Sequence, residues 1–119
     1  MRSAKHTPSA AAKRWMAWVA SRGCLNCRAP ANVHHCVGAT ARHNRVAIGD
    51  WWLLPLCREC HQGDDGIHHS RRRFFGEHVR RKTTEKIMFR QLLRWSRADD
   101  ACLDMPSQRV IDAIEDYHL

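Results

Sequence analysis

A chain of 119 residues leaves room for one hydrophobic core and excludes two independent ones. Lys and Arg total 20 against 12 for Asp and Glu, a formal net charge of +8 with nine His uncounted, which makes a polyanion the natural partner. No window approaches the roughly 18 consecutive apolar residues of a membrane-spanning helix, so a transmembrane role is out.

Residues 1–7 are polar and form an expected flexible tail, either plainly disordered or reaching a phosphate backbone. Thr7 and Pro8 suit an N-cap and a first-turn proline, and Ala12, Trp15, Met16 and Val19 recur at i, i+3, i+4, i+7, so a helix is expected over 8–23, closed by Gly23. Trp15 and Trp18 fit either a core stripe or a platform for stacking bases, with core favoured by the helical spacing. From Cys24 to Cys60 short apolar runs broken by Gly, Asn and Pro predict strands over 33–37 and 51–54, joined by a loop holding Gly38 and Gly49. The run Gln62-Gly63-Asp64-Asp65-Gly66 is a turn that bars a continuous helix. Helices are expected over 70–81 with Phe74, Phe75 and Val79, after Thr83 with Met88, Leu92 and Trp95, and after Pro106 with Val110, Ala113, Ile114 and Tyr117. Nothing repeats internally.

Lys13 and Arg14 interrupt the apolar run near the N-terminus before it reaches signal-peptide length, so the expected compartment is the reducing cytoplasm. Disulfides rarely persist there, and metal ligation becomes the leading reading of the six cysteines. Four of them form two pairs, Cys24-Leu-Asn-Cys27 and Cys57-Arg-Glu-Cys60. Each two-residue spacer makes a tight knuckle that aims both sulfurs at one tetrahedral ion, so a structural zinc on Cys24, Cys27, Cys57 and Cys60 is expected. It would compensate for the small core of a short domain. Three rivals remain: a redox CxxC, covalent haem at Cys57-x-x-Cys60-His61, and a zinc cluster of Cys24, Cys27, His34 and Cys36.

Histidines form the second constellation: His34-His35 on the first strand, His61 directly after the second knuckle, and His68-His69 past the glycine-rich turn. The phrases Val33-His34-His35-Cys36, Leu54-Pro55-Leu56-Cys57-Arg58-Glu59-Cys60-His61 and Gly66-Ile67-His68-His69 resemble the HNH nuclease superfamily. Its ββα-metal motif places a His-His or Asp-His pair on the first strand and a His or Asn after CxxC. The likeness covers about residues 24–75 and is similar in wording to small phage and prophage proteins, including phage recombination-enhancement nucleases that act with the bacterial recombinase filament.

The resemblance implies a fold and a chemistry. The fold is a small α+β single domain over 1–119: an N-terminal helix, a zinc-stapled ββα-metal core over 24–75, and C-terminal helices over 76–119. The activity is metal-dependent endonucleolytic hydrolysis of DNA, with DNA as partner and a recombinase filament or another phage or host DNA-processing protein as a further one. His34, His61 and His68 would hold a catalytic divalent cation (Mg2+, Mn2+ or Zn2+), with His69 competing for the third place. His35 would deprotonate a water, since imidazole with an ordinary pKa of about 6.5 accepts a proton at neutral pH. The family's middle Asn is missing, and either Asp50 or, if the loop folds back, Asn44 would orient His35. A non-catalytic, zinc-stabilised DNA-binding module is the alternative. Basic residues Arg71, Arg72, Arg73, Arg80, Arg81 and Lys82, with Arg42 and Arg45 between the strands, would contact phosphates or simply form solvated faces.

Overall fold

The computed structural model describes residues 6–62 and 81–117, with backbone only for 81 and 82. Four helices and two small antiparallel sheets make an α+β fold among these residues. Helix α1 spans Ala10–Ser21, and its cap is Ser9 rather than Thr7: Ser9 is extended and its Oγ accepts from the Ala12 N–H at 3.1 Å. Pro8 therefore precedes the helix instead of opening it. The chain leaves through Arg22 into Gly23 at φ +79°, a left-handed position where a side chain is strained.

Trp15 and Trp18 stack on each other with centroids 5.4 Å apart, and Trp15 is fully buried, so both belong to the core rather than to a base-stacking platform. Their indole N–H groups are satisfied within the fold, Trp15 donating to the Trp51 carbonyl at 3.1 Å and Trp18 to Asp99 at 2.9 Å.

Strand β1, Asn32–His35, pairs antiparallel with β4, Leu53–Leu56, in the register His34 opposite Leu54 and His35 opposite Leu53. The second strand thus starts two residues later than its apolar run suggests. Gly49–Trp51 is wound into a single 3-10 turn instead, held by the Trp51 N–H on the Ile48 carbonyl at 2.7 Å. Between them lies a hairpin of β2, Arg42–His43, and β3, Val46–Ala47, whose turn residues Asn44 and Arg45 both have positive φ, the backbone of a primed hairpin turn. Asn-Arg is not the usual Asn-Gly signal, which is why this hairpin is hidden in the sequence. Pro55 is tolerated in β4 because, among the described residues, that strand pairs on one side only, and its carbonyl accepts from the Leu25 N–H at 2.8 Å.

Gly49 anchors this region by close approach. A Cβ there would lie 2.0 Å from the Ala39 carbonyl oxygen, a backbone atom that cannot rotate away. Gly49→Ala is expected to cost about 1–3 kcal/mol, as overpacking does, and to lower the thermal midpoint. An unchanged midpoint in a melting experiment would contradict this contact.

Helix α2, Arg58–Gln62, starts at the second cysteine pair. Helix α3, Arg81–Ala98, packs on β4, burying Met88, Phe89, Leu92 and Leu93. Helix α4, Gln108–Asp116, is capped by Ser107 and buries Val110, Ile111, Ala113 and Ile114. The Arg90 guanidinium grips both Glu115 oxygens, at 2.8 and 2.6 Å, and fastens α4 to α3. The helix expected over 70–81 lies almost wholly outside the described residues. Among those described, no helix is long and apolar enough to cross a membrane.

Candidate functional site

The first cysteine knuckle follows α1 directly. The Cys24 N–H bonds the Ala29 carbonyl at 2.7 Å and the Arg28 N–H returns to the Cys24 carbonyl at 2.8 Å, with Arg28 itself at φ 69°. The second knuckle opens α2, where the Cys60 N–H donates to the Cys57 sulfur at 3.4 Å. Because Leu25 is hydrogen-bonded to Pro55 in β4, the knuckles face each other. All four sulfurs of Cys24, Cys27, Cys57 and Cys60 lie within 4.8 Å of one another, and Cys27 and Cys57 are 3.5 Å apart. A tetrahedral ion with metal–sulfur bonds of about 2.3 Å needs sulfurs about 3.8 Å apart, so the group can hold a structural metal.

Its electrostatics agree with that reading. Burial pushes the Cys24 thiol up, but the backbone N–H groups of Cys57, Cys27 and Asn26 and the Cys27 thiol outweigh it and bring the pKa down to about 7. Cys60 goes the other way, to about 12, chiefly through burial; the Asn26 amide at 3.3 Å offsets part of this while the neighbouring thiols add to it. One thiolate is stabilised by the fold and the next is resisted, which a divalent cation reverses by deprotonating its ligands outright.

The histidine pair sits next to this group. Neighbours on a strand point to opposite faces, and β1 turns His34 inward and His35 outward. His34 is 4% exposed, its Nε2 lies 2.7 Å from Glu85 Oε2 on α3, and its ring meets that of His61 with centroids 4.4 Å apart. His34, Cys36 and Glu85 bring one ligand atom each to within 4.8 Å of the others, all three buried. On the outer face, His35 Nε2 donates to Asp50 Oδ1 at 3.0 Å. With the carboxylate as acceptor, the proton sits on Nε2 and Nδ1 remains a base. Asp50 is itself nearly buried, and its other oxygen meets His6 Nε2 at 2.5 Å.

Of the residues singled out in the sequence, the fold therefore assembles the four cysteines, sets His61 against His34, and joins His35 to Asp50. Asn44 is turned away, its amide 3.5 Å from Asp116 on α4. The rival cluster of Cys24, Cys27, His34 and Cys36 is divided between the two groups. Arg42 and Arg45 are exposed on the β2–β3 hairpin. His68, His69, Arg71, Arg72, Arg73 and Arg80, and the side chains of Arg81 and Lys82, lie outside the described residues.

Two members of the site, Glu85 and His6, escaped the sequence reading, and Cys36 was expected only as a ligand of the rival cluster with Cys24, Cys27 and His34. Glu85 had a signal: with Met88, Phe89 and Leu92 it occupies i, i+3, i+4, i+7, a carboxylate on an apolar stripe. His6 had none, because its place beside Asp50 corrects the expectation that the tail through residue 7 is free of the fold.

The whole is a small α+β fold carrying a group of four cysteines that could hold a structural metal, beside a strand that presents histidines on both faces. The chain belongs to the family described as a protein of unknown function, DUF968, whose model matches residues 1–98, a stretch containing every site residue named above. No curated protein and no solved structure matches the chain.

Proposed function

We propose that this protein is a metal-dependent endonuclease of HNH type, hydrolysing DNA phosphodiester bonds with His35 as general base. The observation that carries this reading is the division of β1: His34 faces a group of candidate ligands with His61 beside it, while His35 on the other face is hydrogen-bonded to Asp50. A divalent cation held on the inner face would polarise a phosphate and stabilise the leaving oxygen. His35 takes a proton from water at Nδ1, Asp50 stabilises the imidazolium that results, and His6 holds the second Asp50 oxygen. Cys24, Cys27, Cys57 and Cys60 would hold a zinc that fixes the start of β1 and the end of β4 relative to α2, where His61 lies against His34.

The net charge of +8 supplies sequence-independent attraction to the phosphate backbone. The setting is a reducing cytoplasm, where cysteines stay available to metal, and work alongside a recombinase filament or another phage or host DNA-processing protein is what the resemblance suggests. Strand scission of plasmid and single-stranded DNA with Mg2+, Mn2+ or chelator is the test. Cation-dependent cutting supports the reading, whereas binding without cutting would leave a non-catalytic zinc-stabilised module.

The arginines supply binding rather than chemistry. Replacing Arg71, Arg72 and Arg73, or Arg80, Arg81 and Lys82, with Gln should weaken DNA affinity and flatten log K against log salt by about 0.9 for each lost duplex phosphate contact. Cleavage should recover at saturating protein. Unchanged affinity across a salt series would show that these residues form only a solvated face.

A further inference from the structure

We propose that His34, Cys36 and Glu85 form a second metal site of mixed nitrogen, sulfur and oxygen donors, taking a divalent transition cation, with Glu85 as a ligand delivered by α3. The proposal deepens the nuclease reading by naming ligands and metal class for the inner-face cation, and it rests on that reading only for the cation's role in cleavage. The binding chemistry stands on the geometry alone.

His34 and Cys36 are two residues apart on one extended segment and share a face. The Cys36 N–H bonds the Trp52 carbonyl at 3.0 Å, one ladder bond past the end of β1, and holds the thiol near the imidazole. Glu85 comes from a helix 51 positions away and completes a group whose three ligand atoms lie within 4.8 Å of one another. Exposure is 4% for His34, 1% for Cys36 and 0% for Glu85. A divalent cation with a neutral imidazole, one thiolate and one carboxylate is uncharged overall, which suits this interior. The second group is also separate from the four cysteines, so the two can fill independently.

The donor set selects the metal. Thiolate and imidazole favour Zn2+ and its transition-metal neighbours, whereas Mg2+ is ligated by oxygens and keeps its waters. Bound metal would clamp α3 onto β1. His61, whose ring lies against His34, borders the same group and marks the side toward the second knuckle.

Equilibrium dialysis of the full chain against Zn2+ or Co2+, followed by metal analysis, should find two equivalents per chain, with Mg2+ failing to displace the second. Glu85→Gln and Cys36→Ser should each weaken the second equivalent by more than about 100-fold, beyond the 10- to 100-fold typical of changes outside the ligand shell, while retaining the first. With Co2+, Cys36→Ser should also remove the sulfur-to-metal charge-transfer absorption of the second equivalent and leave that of the four-cysteine site. One equivalent at saturation in the wild-type chain overturns the proposal, as do two equivalents bound unchanged by both variants. If Glu85→Gln does not fold, the wild-type stoichiometry and the Cys36→Ser spectrum decide. A chain that binds two metals and cuts no DNA would keep this site and remove the nuclease reading, and cation-dependent cutting with only one bound equivalent would do the reverse.

Discussion

Cys24→Ser should yield a chain that neither holds zinc nor folds. Cys24 and Cys60 are fully buried within the sulfur group, and the four cysteines come from two segments joined by the Leu25–Pro55 backbone bond, the Asn26 amide on Cys60 and the Cys27–Cys57 contact. Binding energy in structural zinc sites is folding energy, about 10–16 kcal/mol in apparent terms. A domain of ordinary stability has about 5–15 kcal/mol in total, so losing one ligand removes a contribution as large as the whole margin. Chelation of the wild-type protein should have the same effect. Circular dichroism with metal analysis of both samples checks it: a folded, zinc-free wild-type chain would contradict the structural role. Zinc uptake should also release protons and weaken as pH falls, because bound thiols are deprotonated and Cys60, pushed up to about 12, is protonated in the metal-free chain at neutral pH.

The second large effect separates the two histidines. His35→Ala should cut DNA about 10²- to 10⁴-fold more slowly at saturating metal and DNA, since it removes the proton acceptor and leaves the inner face untouched. His34→Ala should instead lose cation affinity and be partly rescued by excess metal. Asp50→Asn should fall between wild type and His35→Ala, because it keeps the hydrogen-bond geometry and loses the charge that stabilises the imidazolium. Rates for all three variants, measured across a metal titration, check the division. Wild-type rates for His35→Ala would take it out of the mechanism, and loss of a bound metal in that variant would make it a ligand.

Much of this arrangement can be read in the sequence because the physics behind it is local. Two CxxC spacers announce two knuckles whatever surrounds them, and adjacent histidines on an extended segment must diverge. The helical stripes of α1, α3 and α4 are equally local, and the Ser107 cap after Pro106 fits the expected start of α4. What eluded the sequence is set by long-range packing. The second strand begins at Leu53 because Gly49–Trp51 winds into a 3-10 turn, where Gly49 passes close to Ala39 ten residues away. Asp50 lies in that turn, one residue from the glycine, and meets His35 from there. Glu85 is 51 positions from His34, and only the packing of α3 onto the sheet brings them together.

The most direct measurement is cleavage by the purified wild-type chain with its four-cysteine zinc retained and every more labile cation removed. The account predicts no scission in that state, scission restored by adding back a divalent cation, and activity that co-elutes with the protein and is absent from His35→Ala prepared in parallel. Full occupancy of both metal groups with tight DNA binding, and no cleavage of duplex, branched or single-stranded substrate by any added cation, would contradict it.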